Sequence, residues 1–181
     1  MKRLTWLAAA VALMTTPAAA GLPTGAKAPV FTTQAAKAGK AFGFNLRSAL
    51  AKGPVVLYFY PKAFTHGCTL EANAFAEASP EFAKFGATVI GMSNDDINTL
   101  KLFSVEACRN KFAVGSATPT IVKAYDVDLK REGKSTGVTS RTSYVIDQKG
   151  NVVFVHEDLD YKDHVRLTLD AVKKLKAKKK S

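Results

Sequence analysis

Metal ligands and cysteines are scarce here: the 181 residues include two cysteines and three histidines. His66, His156 and His164 stand at unrelated spacings, and no further cysteine completes a tetrahedral set. A zinc site is therefore not expected, and no other metal or cofactor is called for. Internal repeats are absent, and so are apolar runs of membrane length after the first residues. Acidic side chains are short too, with 15 Asp and Glu against 26 Lys and Arg, giving a formal charge of +11. What is present is the composition of a globular protein, 47% hydrophobic and 23% charged, which excludes wholesale disorder. The length suits one domain with a real core and is too short for two ordinary ones.

The first twenty residues read as a targeting segment. Met1-Lys2-Arg3 is a basic start, Leu4 to Met14 is apolar, and Ala18-Ala19-Ala20 supplies an A-x-A cleavage site. The apolar stretch falls short of the roughly 20 residues that cross a bilayer. A signal peptide over 1–20 and export, best matched by a bacterial periplasm, are expected. The remaining domain is residues 21–181. Loss of Lys2 and Arg3 leaves 11 − 2 = +9, much of it in the tail 173–181. Such a tail either attracts an anionic membrane surface or nucleic acid, or is a frayed solvated terminus. Export argues against nucleic acid.

Pro54 to Tyr60 is a run of apolar, β-branched and aromatic residues between Gly53 and Pro61, as in a central strand buried on both faces. Cys68 to Ala78 has helical spacing, and Ser79-Pro80 reads as the cap and first residue of another short helix ended by Gly86. Ala87 to Met92 is a second buried strand. Asp96 to Lys111 is a third helical stretch, 115–119 a loop, and Thr120 to Tyr125 a short helix. A polar linker, 130–139, precedes a hairpin of 142–146 and 152–156 around turn residues 147–151, and a final amphipathic helix covers about 162–176. Strands alternating with helices and closing on a hairpin indicate an α/β fold with a mixed central sheet flanked by helices.

The chemistry gathers in Pro61-Lys62-Ala63-Phe64-Thr65-His66-Gly67-Cys68. A cysteine where a strand gives way to a helix meets free N–H groups and the positive end of the helix dipole, both of which favour thiolate. Thiolate is the nucleophile toward peroxides, and the same N–H groups can stabilise charge developing on peroxide oxygens. Thr65, three residues earlier, is placed to bring a hydroxyl beside the sulfur.

Pro61, Thr65 and Cys68 match the P-x-x-x-T-x-x-C signature, and the segment resembles that of peroxiredoxins. Cys68-Thr69-Leu70-Glu71 is similar to the C-T-x-E continuation of the bacterioferritin comigratory protein (PrxQ) subfamily. Ser140 to Asp147 resembles the family segment carrying an invariant arginine, and the likeness runs from about residue 25 to 172. It implies a thioredoxin-like fold of peroxiredoxin type and an antioxidant thiol peroxidase acting on hydrogen peroxide and organic hydroperoxides. Cys68 would be the peroxidatic cysteine, oxidised to sulfenic acid. Thr65 would hydrogen-bond the thiolate or peroxide, Arg141 would supply positive charge, Pro61 would shield the sulfur from water, and Glu71 would orient Arg141. His66 departs from the proline of many relatives; it either assists the thiolate when protonated or is an exposed loop histidine. Some relatives resolve the oxidised sulfur with a cysteine five residues on, but Asn73 stands there. Other members of the subfamily carry the resolving cysteine near Cys108, forty residues beyond Cys68. That implies a Cys68–Cys108 disulfide, reduced by a thioredoxin-like or other dithiol donor, in a monomer.

Competing readings of Cys108 are a buried apolar filler and one half of a permanent structural disulfide. Two other functions compete with this one. A thioredoxin-like disulfide oxidoreductase would need C-x-x-C where this chain has T-x-x-C. A non-catalytic polyanion- or envelope-binding module would use the lysine tail alone.

Overall fold

The computed structural model describes residues 21–178; residues 1–20, where a signal peptide is expected, and the last three residues lie outside the described residues. A hairpin opens the fold, β1 (Thr32–Lys37) and β2 (Lys40–Asn45), followed by α1 (Leu46–Leu50) and β3 (Val55–Phe59). Then come α2 (His66–Lys84), β4 (Thr88–Ser93), α3 (Ile97–Glu106), β5 (Ala113–Ser116) and α4 (Pro119–Tyr125). A ribbon of β6 (Asp128–Arg131) and β7 (Lys134–Thr139) leads to β8 (Thr142–Ile146), β9 (Val152–Glu157) and α5 (His164–Lys178).

Seven strands form one mixed sheet in the order β2-β1-β5-β4-β3-β8-β9, with β3 parallel to β4 and antiparallel to β8. All five residues of β3 are buried, as the uninterrupted apolar run requires. Val55, Leu57 and Phe59 enter one core cluster with α1 and α4 residues, whereas Val56 and Tyr58 enter the other with residues of α2, α3 and α5. That division is the two-residue period of a strand. Gly91 on β4 is needed for it, because a Cβ there would lie 2.7 Å from the Tyr58 hydroxyl.

Several elements differ from the sequence reading. Residues 66–84 form one helix, not two separated at Ser79-Pro80. The Ser79 hydroxyl donates back to the Phe75 carbonyl at 2.9 Å instead of capping forward. Phe75 and Phe82, on either side of the proline, are buried in one cluster, and that shared apolar face carries the helix through. Helix α3 stops at Glu106, so Cys108 sits just beyond the helix and not on it. Residues 113–116, of which 115 and 116 were expected as loop, are a strand joining β1 to β4, and the polar linker is the β6–β7 ribbon. The basic tail is not frayed along its length: residues 173–178 continue α5. Lys176 donates to the Lys84 carbonyl at 3.1 Å and lies 5.8 Å from the Phe85 ring centre. A cation at the end of α2 complements its exposed carbonyls.

Candidate active site

The sheet register brings the reactive segments together. Phe59 of β3 faces Thr142 of β8, so the chain leaving β3 at Tyr60-Pro61 runs beside Arg141. The Thr139 hydroxyl donates to the Tyr60 carbonyl at 2.7 Å and fastens the arginine segment there. Pro61 is half-buried at this exit. The loop then turns through Phe64 at φ +63° and enters α2 with Thr65 as N-cap.

Cys68 occupies the first turn of α2 and is 2% exposed. The Thr65 side chain makes no capping bond, and the turn holds no acidic residue. Its N–H groups thus keep their positive potential for an incoming oxygen. Of the two bonds expected of Thr65, the one to the sulfur is not made: its hydroxyl donates to the Lys62 carbonyl at 2.9 Å. It steadies the loop and retains lone pairs to accept from a peroxide O–H. His66 is exposed at the start of the helix.

Arg141 approaches the sulfur from the sheet, with Nη2 donating to Cys68 Sγ at 3.5 Å. Gly67 borders this approach, and a Cβ there would stand in contact with Nη2 at 3.4 Å. Nη1 donates to Glu71 Oε2, and Nε donates to the Leu159 carbonyl at 2.9 Å. Burial works against the guanidinium charge, but Glu71 and Cys68 outweigh it and shift Arg141 upward. Burial pushes the Glu71 carboxyl up to about 8, against the pull of Arg141.

Behind Glu71 lies a residue the sequence reading set aside. His164 is fully buried, and its Nδ1 stands 3.8 Å from Glu71 Oε1, an oxygen with no hydrogen-bond partner among the described residues. His164 Nε2 lies 2.9 Å from the Asp158 carbonyl oxygen, which can only accept, so Nε2 carries the proton. Nδ1 then accepts from the Ser143 hydroxyl at 2.8 Å. Burial lowers His164 to about 4, with His156 and Arg141 adding to the shift and Asp158 opposing it.

These shifts set opposite slopes of stability with pH. His164 falls below its ordinary 6.5, so its contribution is complete above 6.5 and is lost as pH falls through about 4. Glu71 rises above its ordinary 4.5, so its contribution is complete below 4.5 and is lost as pH rises through about 8. Urea unfolding across pH 4–9 should show His164→Gln flatter than the native chain on the acid side. Glu71→Gln should be flatter from 4.5 to 8. Parallel profiles for all three proteins would contradict the assignment.

Cys108 is fully buried in the same core cluster as Cys68, and both thiols are free. Burial pushes its thiol far up, so it is held protonated. The turn that follows is unusual: Arg109 and Asn110 have φ of +48° and +62°. Among the described residues no cluster of three or more potential ligands could hold a metal, and no helix is long and apolar enough to cross a membrane.

The AhpC/TSA family model matches residues 24–155. The chain belongs to the AhpC/TSA family. As a peroxiredoxin it is 32% identical over 126 residues to Peroxiredoxin Bcp of Bacillus subtilis, covering 68% of this chain and 80% of that one. The crystal structure of peroxidoxin BcpB from Mycobacterium tuberculosis superposes with a TM-score of 0.74 at 30% identity, covering 84% of this chain and 97% of that one. The Xanthomonas campestris bacterioferritin comigratory protein, described for its alkyl peroxide reduction activity, gives 0.70 at 29% identity over 79% and 91%. The thioredoxin-like architecture of these peroxiredoxins is the fold class the family resemblance implied, and its mixed, helix-flanked sheet is what the residues indicated.

Proposed function

We propose that this peroxiredoxin reduces hydroperoxides at Cys68 and resolves the product with Cys108. The observation that carries the reading is the Cys68 sulfur in the uncapped first turn of α2, touched by the Arg141 guanidinium. The thiolate attacks the terminal oxygen of ROOH, an S–O bond forms as the O–O bond breaks, and the departing RO⁻ takes a proton from water to leave as ROH. Arg141 and the N–H groups of the first turn hold the charge that moves onto the oxygens. Thr65 accepts from the peroxide O–H, and Pro61 limits access of water to the sulfur. The family's alkyl peroxide reducer favours organic hydroperoxides beside hydrogen peroxide as substrates.

Cys68 sulfenic acid then condenses with the Cys108 thiol, expelling water and leaving a disulfide. Both sulfurs are buried, so one segment must open. The Arg109-Asn110 turn supports opening on the Cys108 side, because a left-handed conformation at a non-glycine stores strain that local unfolding releases. A dithiol reductant of thioredoxin type completes the cycle. The peroxidase acts as a monomer, a reading that sedimentation checks. Residues 1–20 favour export to a periplasm, where that donor must also reside; sequencing the mature N-terminus tests this.

Intact mass after one equivalent of peroxide is the direct measurement. Loss of two protons, with a crosslinked Cys68–Cys108 peptide, is the expected result. Addition of oxygen at Cys68 alone would remove Cys108 from the cycle. In agreement with the scheme, Cys108→Ser should retain the first turnover within about twofold and lose at least tenfold in sustained turnover with a dithiol, since the buried sulfenic acid then lacks its partner thiol.

A further inference from the structure

His164 has no part in the chemistry above, yet it touches what holds Arg141 in place. The guanidinium is fixed by the Leu159 carbonyl on one side and by Glu71 on the other. Leu159 belongs to the turn after β9, and that turn is closed by the His164 ring: Nε2 donates to the Asp158 carbonyl at 2.9 Å. The His164 N–H donates to the Tyr161 carbonyl at 3.4 Å, and the Asp158 N–H returns to the Arg141 carbonyl at 3.2 Å. On its other edge, Nδ1 faces Glu71 Oε1 at 3.8 Å while accepting from Ser143. One imidazole therefore borders both anchors of the arginine from a fully buried position.

We infer that His164 is a positioning residue that sets the Arg141 guanidinium against Cys68 by locking the Asp158–Leu159 turn. The inference rests on the proposed role of Arg141 as the cation at the peroxidatic sulfur. A turn carbonyl that fixes Nε also fixes the plane of the guanidinium, and only one plane lets Nη1 and Nη2 reach Glu71 and Cys68 together. If the turn is released, Nη2 loses its fixed direction, and a displacement of about 1 Å is enough to matter in a transition state.

The test uses the full chain and the second-order rate constant for hydrogen peroxide. His164→Leu should lower it roughly tenfold, the usual scale for one lost orienting contact. His164→Gln, whose amide N–H reaches the Asp158 carbonyl, should recover most of that loss, whereas the shorter His164→Asn should not. In an Arg141→Gln background, adding His164→Leu should cost less than twofold, because the group it positions is gone. A full tenfold cost in that background would overturn the inference, as would equal rates for the Gln and Asn variants. A second readout is independent of peroxidase activity. The Arg141 Nε–H proton, followed by NMR, should exchange slowly with water in the native chain and in His164→Gln, and rapidly in His164→Leu. Continued protection in His164→Leu would overturn the inference; a native chain that is inert to peroxide but shows this pattern would instead overturn the peroxidase reading.

Discussion

Cys68→Ser should leave peroxide consumption at the level of buffer, in the first turnover as well as the steady state. A thiol does two things that an alcohol cannot: it ionises far more readily, and it accepts an oxygen atom to become sulfenic acid. Arg141 and the helix start would still surround the serine hydroxyl, but they stabilise an anion that an alcohol does not form. Cys108 is no substitute, because it is fully buried and burial keeps its thiol protonated. The variant should fold, since the change is nearly isosteric at a 2% exposed position. Peroxide clearance by Cys68→Ser above buffer, measured by residual peroxide at pH 7, would move the reaction to another group.

Arg141→Ala should lower the same rate constant by roughly 10² to 10³, the range seen when one preorganised charge-stabilising donor is removed. The cost in stability should be smaller than for most broken buried ion pairs. Such a break ordinarily costs about 3–5 kcal/mol because an uncompensated charge is left behind. Glu71, whose carboxyl is raised to about 8 by burial, is already mostly protonated at pH 7 and leaves little uncompensated charge behind, so a loss of about 1–3 kcal/mol is expected by urea unfolding. Arg141→Lys should keep most of the kinetic defect. An ammonium has the charge but not the fork, and it cannot serve Leu159, Glu71 and Cys68 at once. A lysine variant with native activity would show that charge alone suffices.

The strands that make the sheet centre were legible because their residues leave little choice: β3 is five apolar or aromatic residues, all buried, and β8 likewise follows an apolar run into a turn. The opening hairpin went unread for a physical reason. Its turn places Ala38 and Gly39 at φ of +50° and +76°, where Asn-Gly is the recognisable pair, and its buried positions Ala35 and Ala36 are small. The β6–β7 ribbon hides in the same way, behind a Glu132-Gly133 turn at +51° and +76° flanked by polar side chains. At Ser79-Pro80 local capping rules pointed to a boundary that packing overrides.

In the site, Cys68, Glu71 and Arg141 were found through the motifs they stand in, and the structure brings those three into contact. Of the two bonds expected of Thr65, to the thiolate or to the peroxide, the first is not made, because a hydroxyl with one proton can serve the Lys62 carbonyl or the sulfur but not both. The Leu159 carbonyl was invisible, as backbone acceptors carry no side-chain signature. His164 did leave a trace: with Thr168 and Val172 it forms the buried stripe of α5, and two polar residues in a stripe that should be apolar mark a hydrogen-bonded function.

Pro80 lacks the N–H that would answer the Ala76 carbonyl, so α2 is two lengths of hydrogen-bond ladder under one continuous apolar face. In the proposed cycle the opening falls on the Cys108 side, so the turn that holds Cys68 keeps its rungs. The far end of α2 is tied to α5 through Lys176. With one rung missing between them, the two lengths are joined by the rings of Phe75 and Phe82 more than by the ladder, so the aim of the first turn depends on side chains two turns and more away from it.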